Sequence, residues 1–225
     1  MDGTKTWPFP NASVSDCYSV KEFKADEPKE VPAFEPPPMI GMGRPLASVI
    51  HELLGNLDPD PDRQGLEETP ARVAKAWAFW TKGYAENPAE ILKVFDDGAN
   101  GYDEMVSVCN IPVYSHCEHH MAPIFGVATV AYIPDGRIVG LSKLSRLVDC
   151  FARRLQVQER LTTQIADSLQ EHLNPKGVGV WIKARHMCME SRGICQQGHH
   201  TVTTALRGVI KEDLSARAEF LALTR

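Results

Sequence analysis

From Pro45 onward apolar residues recur at helical spacing, with Leu46, Val49, Ile50, Leu53 and Leu54 on one face before Gly55. A turn-rich connector, Asp58-Pro59-Asp60-Pro61-Asp62, follows. Thr69-Pro70 then supplies an N-cap and an N1 proline for a second helix that runs through Trp77 toward Gly83. Asn87-Pro88 repeats that start signal for a short third helix ending near Phe95. Beyond Gly101 the period falls to two. Met105 to Tyr114 reads as a strand, Ser115 to Pro123 as a loop, and Phe125 to Ile133 as a second strand closed by Pro134-Asp135-Gly136. Arg137 to Leu141 is expected to pair back as a hairpin. Ser142 stands where it can cap a helix whose buried stripe is Leu144, Leu147, Val148, Phe151 and Leu155. Val157, Leu161, Ile165, Leu169 and Leu173 form a second stripe, ended by Asn174-Pro175-Lys176-Gly177. From Val178 the alternation is clean, with Val180, Ile182 and Ala184 opposite Trp181, Lys183 and Arg185. If that strand continues without a bulge, His186 and Cys188 fall on the apolar face, where an unpartnered imidazole is costly. A loop from Glu190 to His200, a strand near Thr201 to Ile210 and a helix from about Ser215 complete the chain.

Strands, two consecutive helices, then strands predict an α+β fold in which an antiparallel sheet carries the two helices on one face. Such a sheet has edges and a second face to cover, so an oligomer is expected. Residues 1–43 hold seven of the 16 prolines and no sustained periodicity, which reads as an extended or disordered arm. Residues 44–100 form a helical segment ahead of a sheet domain at 101–225. The net charge of −5 disfavours a general nucleic-acid binder while leaving room for a local basic pocket. No run is long and apolar enough to span a membrane, no secretory signal opens the sequence, and the six cysteines are scattered rather than framing a small loop-rich fold. The expectation is a soluble, cytoplasmic protein with reduced thiols.

Ser115-His116-Cys117-Glu118-His119-His120 packs a thiol, a carboxylate and three imidazoles into consecutive positions. Cys117 and His120 stand in the C-x-x-H spacing that lets one tight turn present a sulfur and a ring nitrogen to a tetrahedral metal, with Zn²⁺ the best match. A catalytic zinc takes a third protein ligand and keeps the fourth position for water, whose pKa falls to about 7. Cys188 is the best third ligand, and Cys195, Cys109, His199 and His200 are its rivals. Closure by Cys195 would make the site structural. The zinc-deaminase pattern, with its later P-C-x-x-C, is missing. Ser142, Lys143 and Arg146 fall in one turn at a helix start, where backbone N–H groups favour phosphate. Gln158 and Glu159 open the next helix with an amide and a carboxylate, which suit the donor-rich edge of guanine.

With these residues placed, the sequence closely resembles GTP cyclohydrolase I from about Leu46 to its end. The resemblance rests on Glu68-Thr69-Pro70-Ala71-Arg72, Ser115 to His120, Gly140-Leu141-Ser142-Lys143-Leu144-Ser145-Arg146, Gln156-Val157-Gln158-Glu159-Arg160-Leu161-Thr162 and His186-Met187-Cys188. It implies a tunnelling fold assembled into a homodecameric ring with active sites between subunits, converting GTP and water to 7,8-dihydroneopterin triphosphate and formate. It further implies that Cys117, His120 and Cys188 hold Zn²⁺ and that a water at the fourth position attacks C8 of guanine. His119 would exchange protons at the imidazole ring and His186 would serve acid and base steps at the ribose. Glu159 and Gln158 would hold the guanine edge, and Glu118 would be a substrate contact or a support for the ligands. Lys143, Arg146, Arg192 and a neighbouring subunit's copy of Arg72 would bind the triphosphate, with Ser142 at the sugar and phosphate. Cys195, His199 and His200 depart from the usual family pattern. They motivate the alternative of a catalytically silent, zinc-stabilised binding protein of the same fold.

Overall fold

The computed structural model describes residues 43–96 and 101–224. The expected proline-rich arm therefore lies outside the described residues, apart from Gly43. Helix α1 spans Leu46–Leu57 and α2 spans Thr69–Trp80. The first continues past Gly55 to Leu57, and the second stops three residues short of Gly83. Glu68, and not Thr69, occupies the cap of α2, and no side-chain capping bond is made there. A 3₁₀ turn, Lys82–Tyr84, leads to the four-residue α3, Pro88–Ile91. Asn87 caps α3, its side chain accepting from Ala89 N at 3.1 Å.

Phe95, expected at a helix end, sits in strand β1, Val94–Phe95. This strand pairs antiparallel with β4, Ile138–Val139. The segment after Gly136 thus pairs with a distant strand and not back as a hairpin. Two apolar residues on each side give the ribbon a local reason that adjacency in sequence concealed.

The main sheet has five strands in the order β5-β2-β3-β6-β7. They are β2 (Val106–Cys117), β3 (Pro123–Ile133), β5 (Leu155–Gln156), β6 (Gly177–His186) and β7 (Thr201–Gly208). The sheet is mixed and not purely antiparallel, because Leu155–Gln156 runs parallel to His116–Cys117. A parallel neighbour requires a crossover, which here contains α4, Leu141–Ala152. Ser142 lies in the first turn of α4 but does not cap it; Gly140 occupies the cap and its carbonyl accepts from Lys143 N. Helix α5 spans Gln158–Leu173.

Strand parity places the core. Ile111, Val113, Ser115 and Cys117 of β2 and Val178, Val180, Ile182 and Ala184 of β6 are buried on one face. Leu144, Leu147 and Val148 of α4 and Leu161, Ile165, Leu169 and Leu173 of α5 cover that face. The opposite face is not free of helices as expected. At one end a second apolar cluster joins Ala131 and Leu206 to Ile210 of α7 (Val209–Glu212) and Phe220 of α8 (Leu214–Ala222). Gly179 permits that contact, since a Cβ there would stand 2.8 Å from the Phe220 ring. At the other end Trp77 and Trp80 of α2 pack on His116.

The helical segment is anchored to the end of α4. Gly83 N donates to Arg153 O at 3.1 Å, Lys82 pairs with Asp149 at 2.8 Å, and Leu155 N donates to the Tyr84 hydroxyl at 3.1 Å. A Cβ on Gly83 would lie 2.0 Å from Cys150 O, so the approach demands glycine.

Candidate metal centre

Three chain ends meet at one end of the sheet. Ser115 of β2 is in register with Ile124 of β3, and Ile124 with His186 of β6. The row therefore sets Ser115 and His186 on either side of Ile124. Ser115 to Cys117 belong to β2 and Pro123 to β3, so only Glu118 to Ala122 of the expected loop form the turn. That turn is closed by Cys117 N donating to Ala122 O at 2.9 Å and Met121 N donating to Cys117 O at 2.7 Å. Met121 sits at φ 54°, the left-handed region that lets the chain reverse so tightly.

Parity separates neighbouring residues into different roles. Cys117 points to the core face and is 5% exposed. His116 points to the other face, stacked on Trp77 and Trp80 with ring centroids at 4.8 and 4.7 Å. Burial, then the charge of Arg153, pushes the His116 pKa below its ordinary value, so a neutral packed ring is favoured. His120 returns over the strand end with Nδ1 3.8 Å from Cys117 Sγ. Cys188 arrives from α6, Met187–Glu190, the helical turn that follows β6. The register expectation for β6 thus holds through His186, after which a turn of helix carries the thiol to the same end.

The ligand atoms of Cys117, His120 and Cys188 all lie within 4.8 Å of one another, and they are the one such cluster among the described residues. A tetrahedral ion with metal–sulfur bonds of about 2.3 Å and metal–nitrogen bonds of about 2.0–2.1 Å needs ligand separations of about 3.5–3.8 Å, so little motion is required. Burial and the neighbouring Cys117 thiol raise the Cys188 pKa. Two adjacent thiols resist joint ionisation unless a cation compensates. The donor set therefore suits a thiophilic dication, with zinc's preference for sulfur and imidazole the best match. Cys109 and Cys195 are exposed, and neither they nor His199 and His200 enter the cluster.

Glu118 and Gln158 both have partners within the protein. The Glu118 carboxylate is engaged by Arg160 of α5, which holds its pKa below the ordinary carboxylate range. Arg160 also donates to Gln156 Oε1 at 3.2 Å, and Glu118 N donates to Gln156 O at 3.0 Å, so Arg160 and Gln156 brace the turn. Gln158, expected at the guanine edge, is 2% exposed and its carboxamide is turned into the protein. It meets the His186 ring, with Oε1 2.7 Å from Nε2. Burial lowers the His186 pKa, partly offset by Glu159.

The other expected residues are accessible. His119, 63% exposed, lies 3.7 Å from the Glu118 carboxylate. Glu159 is exposed beside the buried Gln158, and Ser142, Arg146 and Arg192 are exposed, with Lys143 half-buried. Arg72 pairs with Glu68 on the surface of α2. The sequence reading missed Arg160, Gln156, Thr162, Thr203, Trp77 and Trp80. Arg160, Gln156 and Thr162 lay inside a quoted motif, but nothing in their spacing says which way each points.

The fold and the site define an α+β protein with a centre of two thiols and one imidazole suited to a metal. The model of the GTP cyclohydrolase I family matches residues 46–225, and the chain belongs to that family. Among its relatives is the GTP cyclohydrolase 1 of Janthinobacterium sp. (strain Marseille), 65% identical over 173 residues, covering 77% of this chain and 87% of that protein. The GTP cyclohydrolase 1 of Nitrosospira multiformis is 64% identical over 76% of this chain and 90% of its own, and that of Brucella suis 52% over 81% and 86%. A solved structure of the archaeosine synthase QueF-Like in the apo form overlaps 46% of this chain and 93% of that chain, at a TM-score of 0.39 and 20% identity.

Proposed function

We propose that the protein converts GTP and water to 7,8-dihydroneopterin triphosphate and formate, with Zn²⁺ held by Cys117, His120 and Cys188. The observation that carries this reading is the convergence of those three ligand atoms within 4.8 Å in a chain of the GTP cyclohydrolase I family. Bound there, Zn²⁺ supplies the Lewis acidity that makes water a nucleophile near neutral pH.

The chain's own residues divide the remaining work. His119, exposed beside Glu118, exchanges protons at the imidazole ring of guanine, and His186 does so at the ribose. Glu159 accepts from the N–H donors of the guanine edge. Lys143 and Arg146 on the first turns of α4, with Arg192, bind the triphosphate, and Ser142 contacts the sugar and phosphate region. The start of α4 already favours an anion through its free backbone N–H groups. Arg72 contributes from a neighbouring subunit, since its ion pair with Glu68 is exposed and readily exchanged for a phosphate. The subunits form a tunnelling-fold homodecamer. Support for association comes from β7, whose outer edge has no strand neighbour among the described residues and where Val202 is exposed, and from the exposed Tyr114 of β2.

The reaction is tested by incubating zinc-loaded protein with GTP and following the pterin chromophore and formate. Cys188→Ser is expected to abolish formate release and lower bound zinc, whereas Cys195→Ser leaves both nearly intact. Equal loss in the two variants would replace this reading with a zinc-closed, catalytically silent binding protein.

A further inference from the structure

The carboxamide of Gln158 sits between two strands and one imidazole, and its orientation is dictated by its neighbours. Its nitrogen lies 3.1 Å from Ile182 O and 3.0 Å from Thr201 O. Backbone carbonyls only accept hydrogen bonds, so the NH₂ end must face them. A third acceptor, Thr203 Oγ1, stands at 3.1 Å. The Thr162 hydroxyl donates to Gln158 O at 2.7 Å, which uses its single hydrogen. The 2.6 Å contact between Thr162 and Thr203 is then donated by Thr203, whose lone pairs are left facing the carboxamide nitrogen. Three acceptors thus face the two hydrogens of the carboxamide nitrogen, and no donor faces it. What remains is Gln158 Oε1, an acceptor, 2.7 Å from His186 Nε2.

We propose that Gln158 is a positioning residue that locks His186 in its Nε2–H tautomer, leaving Nδ1 as the ring nitrogen that exchanges a proton with substrate. Nε2 can only donate to an oxygen whose carboxamide cannot turn over, because a turned amide would set its oxygen against two carbonyls. Among the described residues no hydrogen bond within the protein engages Nδ1. In the exchange, the Nδ1 lone pair takes a proton from an acidic O–H or C–H of the sugar, the ring becomes imidazolium with Nε2–H still given to Oε1, and Nδ1–H later returns that proton. The proposal deepens the reading of His186 as the acid and base at the ribose and rests on it. It also explains why an amide stands where the neighbouring Glu159 carries a carboxylate. A carboxylate at position 158 would face Ile182 O and Thr201 O with no hydrogen to give.

The test begins with the wild-type, zinc-loaded full chain carrying ¹⁵N-labelled histidine. Ring-nitrogen NMR of the neutral form, with the His186 signals identified by their loss in His186→Asn, is expected to show Nε2 protonated and Nδ1 bare. The reverse tautomer would overturn the proposal, and this measurement needs no altered core. Gln158→Met removes both the acceptor and the donors. It should let the ring populate both tautomers and slow the appearance of the pterin chromophore about 10-fold or more, with the GTP dissociation constant unchanged within about twofold. A fall in GTP affinity of about 10-fold or more with the tautomer unchanged would return Gln158 to the guanine edge and overturn the positioning role. Thr203→Val leaves both carbonyl acceptors and should keep the tautomer; its loss there would move the lock away from Gln158. Wild-type protein that shows the Nε2–H tautomer but releases no formate would overturn the proton-exchange role together with the functional reading, and is thus distinct from a wrong tautomer.

Discussion

At the scale of single residues, the two-residue period of a strand decides chemistry. Cys117 and His116 are adjacent, yet the thiol joins the candidate ligand cluster while the imidazole beside it packs against Trp77 and Trp80 on the far face. The cluster of imidazoles was conspicuous in sequence, but its division of labour was not, since only the strand end at Cys117 reveals which side each ring takes. His119 projects outward from the turn beside Glu118 and does not belong to the ligand set. His119→Ala is therefore expected to keep stoichiometric zinc, read by metal analysis, while formate release falls about 100-fold or more. Loss of the metal in that variant would make His119 a ligand. Arg160→Ala should leave Glu118 unpaired and loosen the turn, weakening zinc retention about 10-fold in a chelator competition, in line with the usual cost of losing a group that supports a ligand. Arg160 sat unremarked between a substrate candidate and a core leucine. Nothing local marks an arginine that will cross to a turn forty-two positions earlier.

Elements show the same split between what is local and what is not. The stripes of α4 and α5 were legible, because amphipathic periodicity follows directly from burying one helix face. The ribbon of β1 with β4 was not, since two-residue strands carry no period and their pairing joins segments about forty-four positions apart. The docking of the helical segment is decided by Gly83, which allows backbone contact with Arg153 and Cys150. Gly83→Ala should lower the unfolding free energy by about 2–3 kcal/mol, as overpacking against rigid backbone does, measured by urea denaturation. The same docking carries an alkaline signature. Burial alone would lower the Lys82 pKa, but the hydrogen bond and charge of Asp149, with Glu86, more than reverse this and raise it above the ordinary lysine value. A raised lysine stabilises the fold fully below its unfolded pKa and loses that contribution as pH rises through the folded value. Stability from this pair should persist across neutral pH and decline beyond about pH 10.5. Lys82→Met should remove that part of the alkaline decline.

For the whole molecule, the sheet has unlike faces. One is sealed by α4 and α5, and the other is covered, among the described residues, at its ends by α2 and by α7 with α8. A β7 edge with no strand neighbour among the described residues and an exposed cation in α2 suit head-to-tail closure, in which unlike surfaces meet. If Arg72 serves a neighbour's triphosphate site, Arg72→Ala and Cys188→Ser damage different subunits at each site. Mixed oligomers formed by co-expression should then recover formate release that neither variant shows alone. Absence of recovery would place both residues in one subunit's site.

By itself the sequence determined the quantities that depend on neighbours along the chain: helix stripes, strand alternation, the C-x-x-H pair and the parity that sends His186 toward the core. It also carried motifs long enough to mark the family. Only the tertiary structure decided which donors and acceptors are already engaged inside the protein. Gln158 and Glu118 looked like ligands for a substrate because their side chains are chemically able to bind one. Their commitment to His186 and to Arg160 depends on β6, β7 and the Cys117 turn arriving at the start of α5, and such long-range approaches leave no periodic trace in the chain.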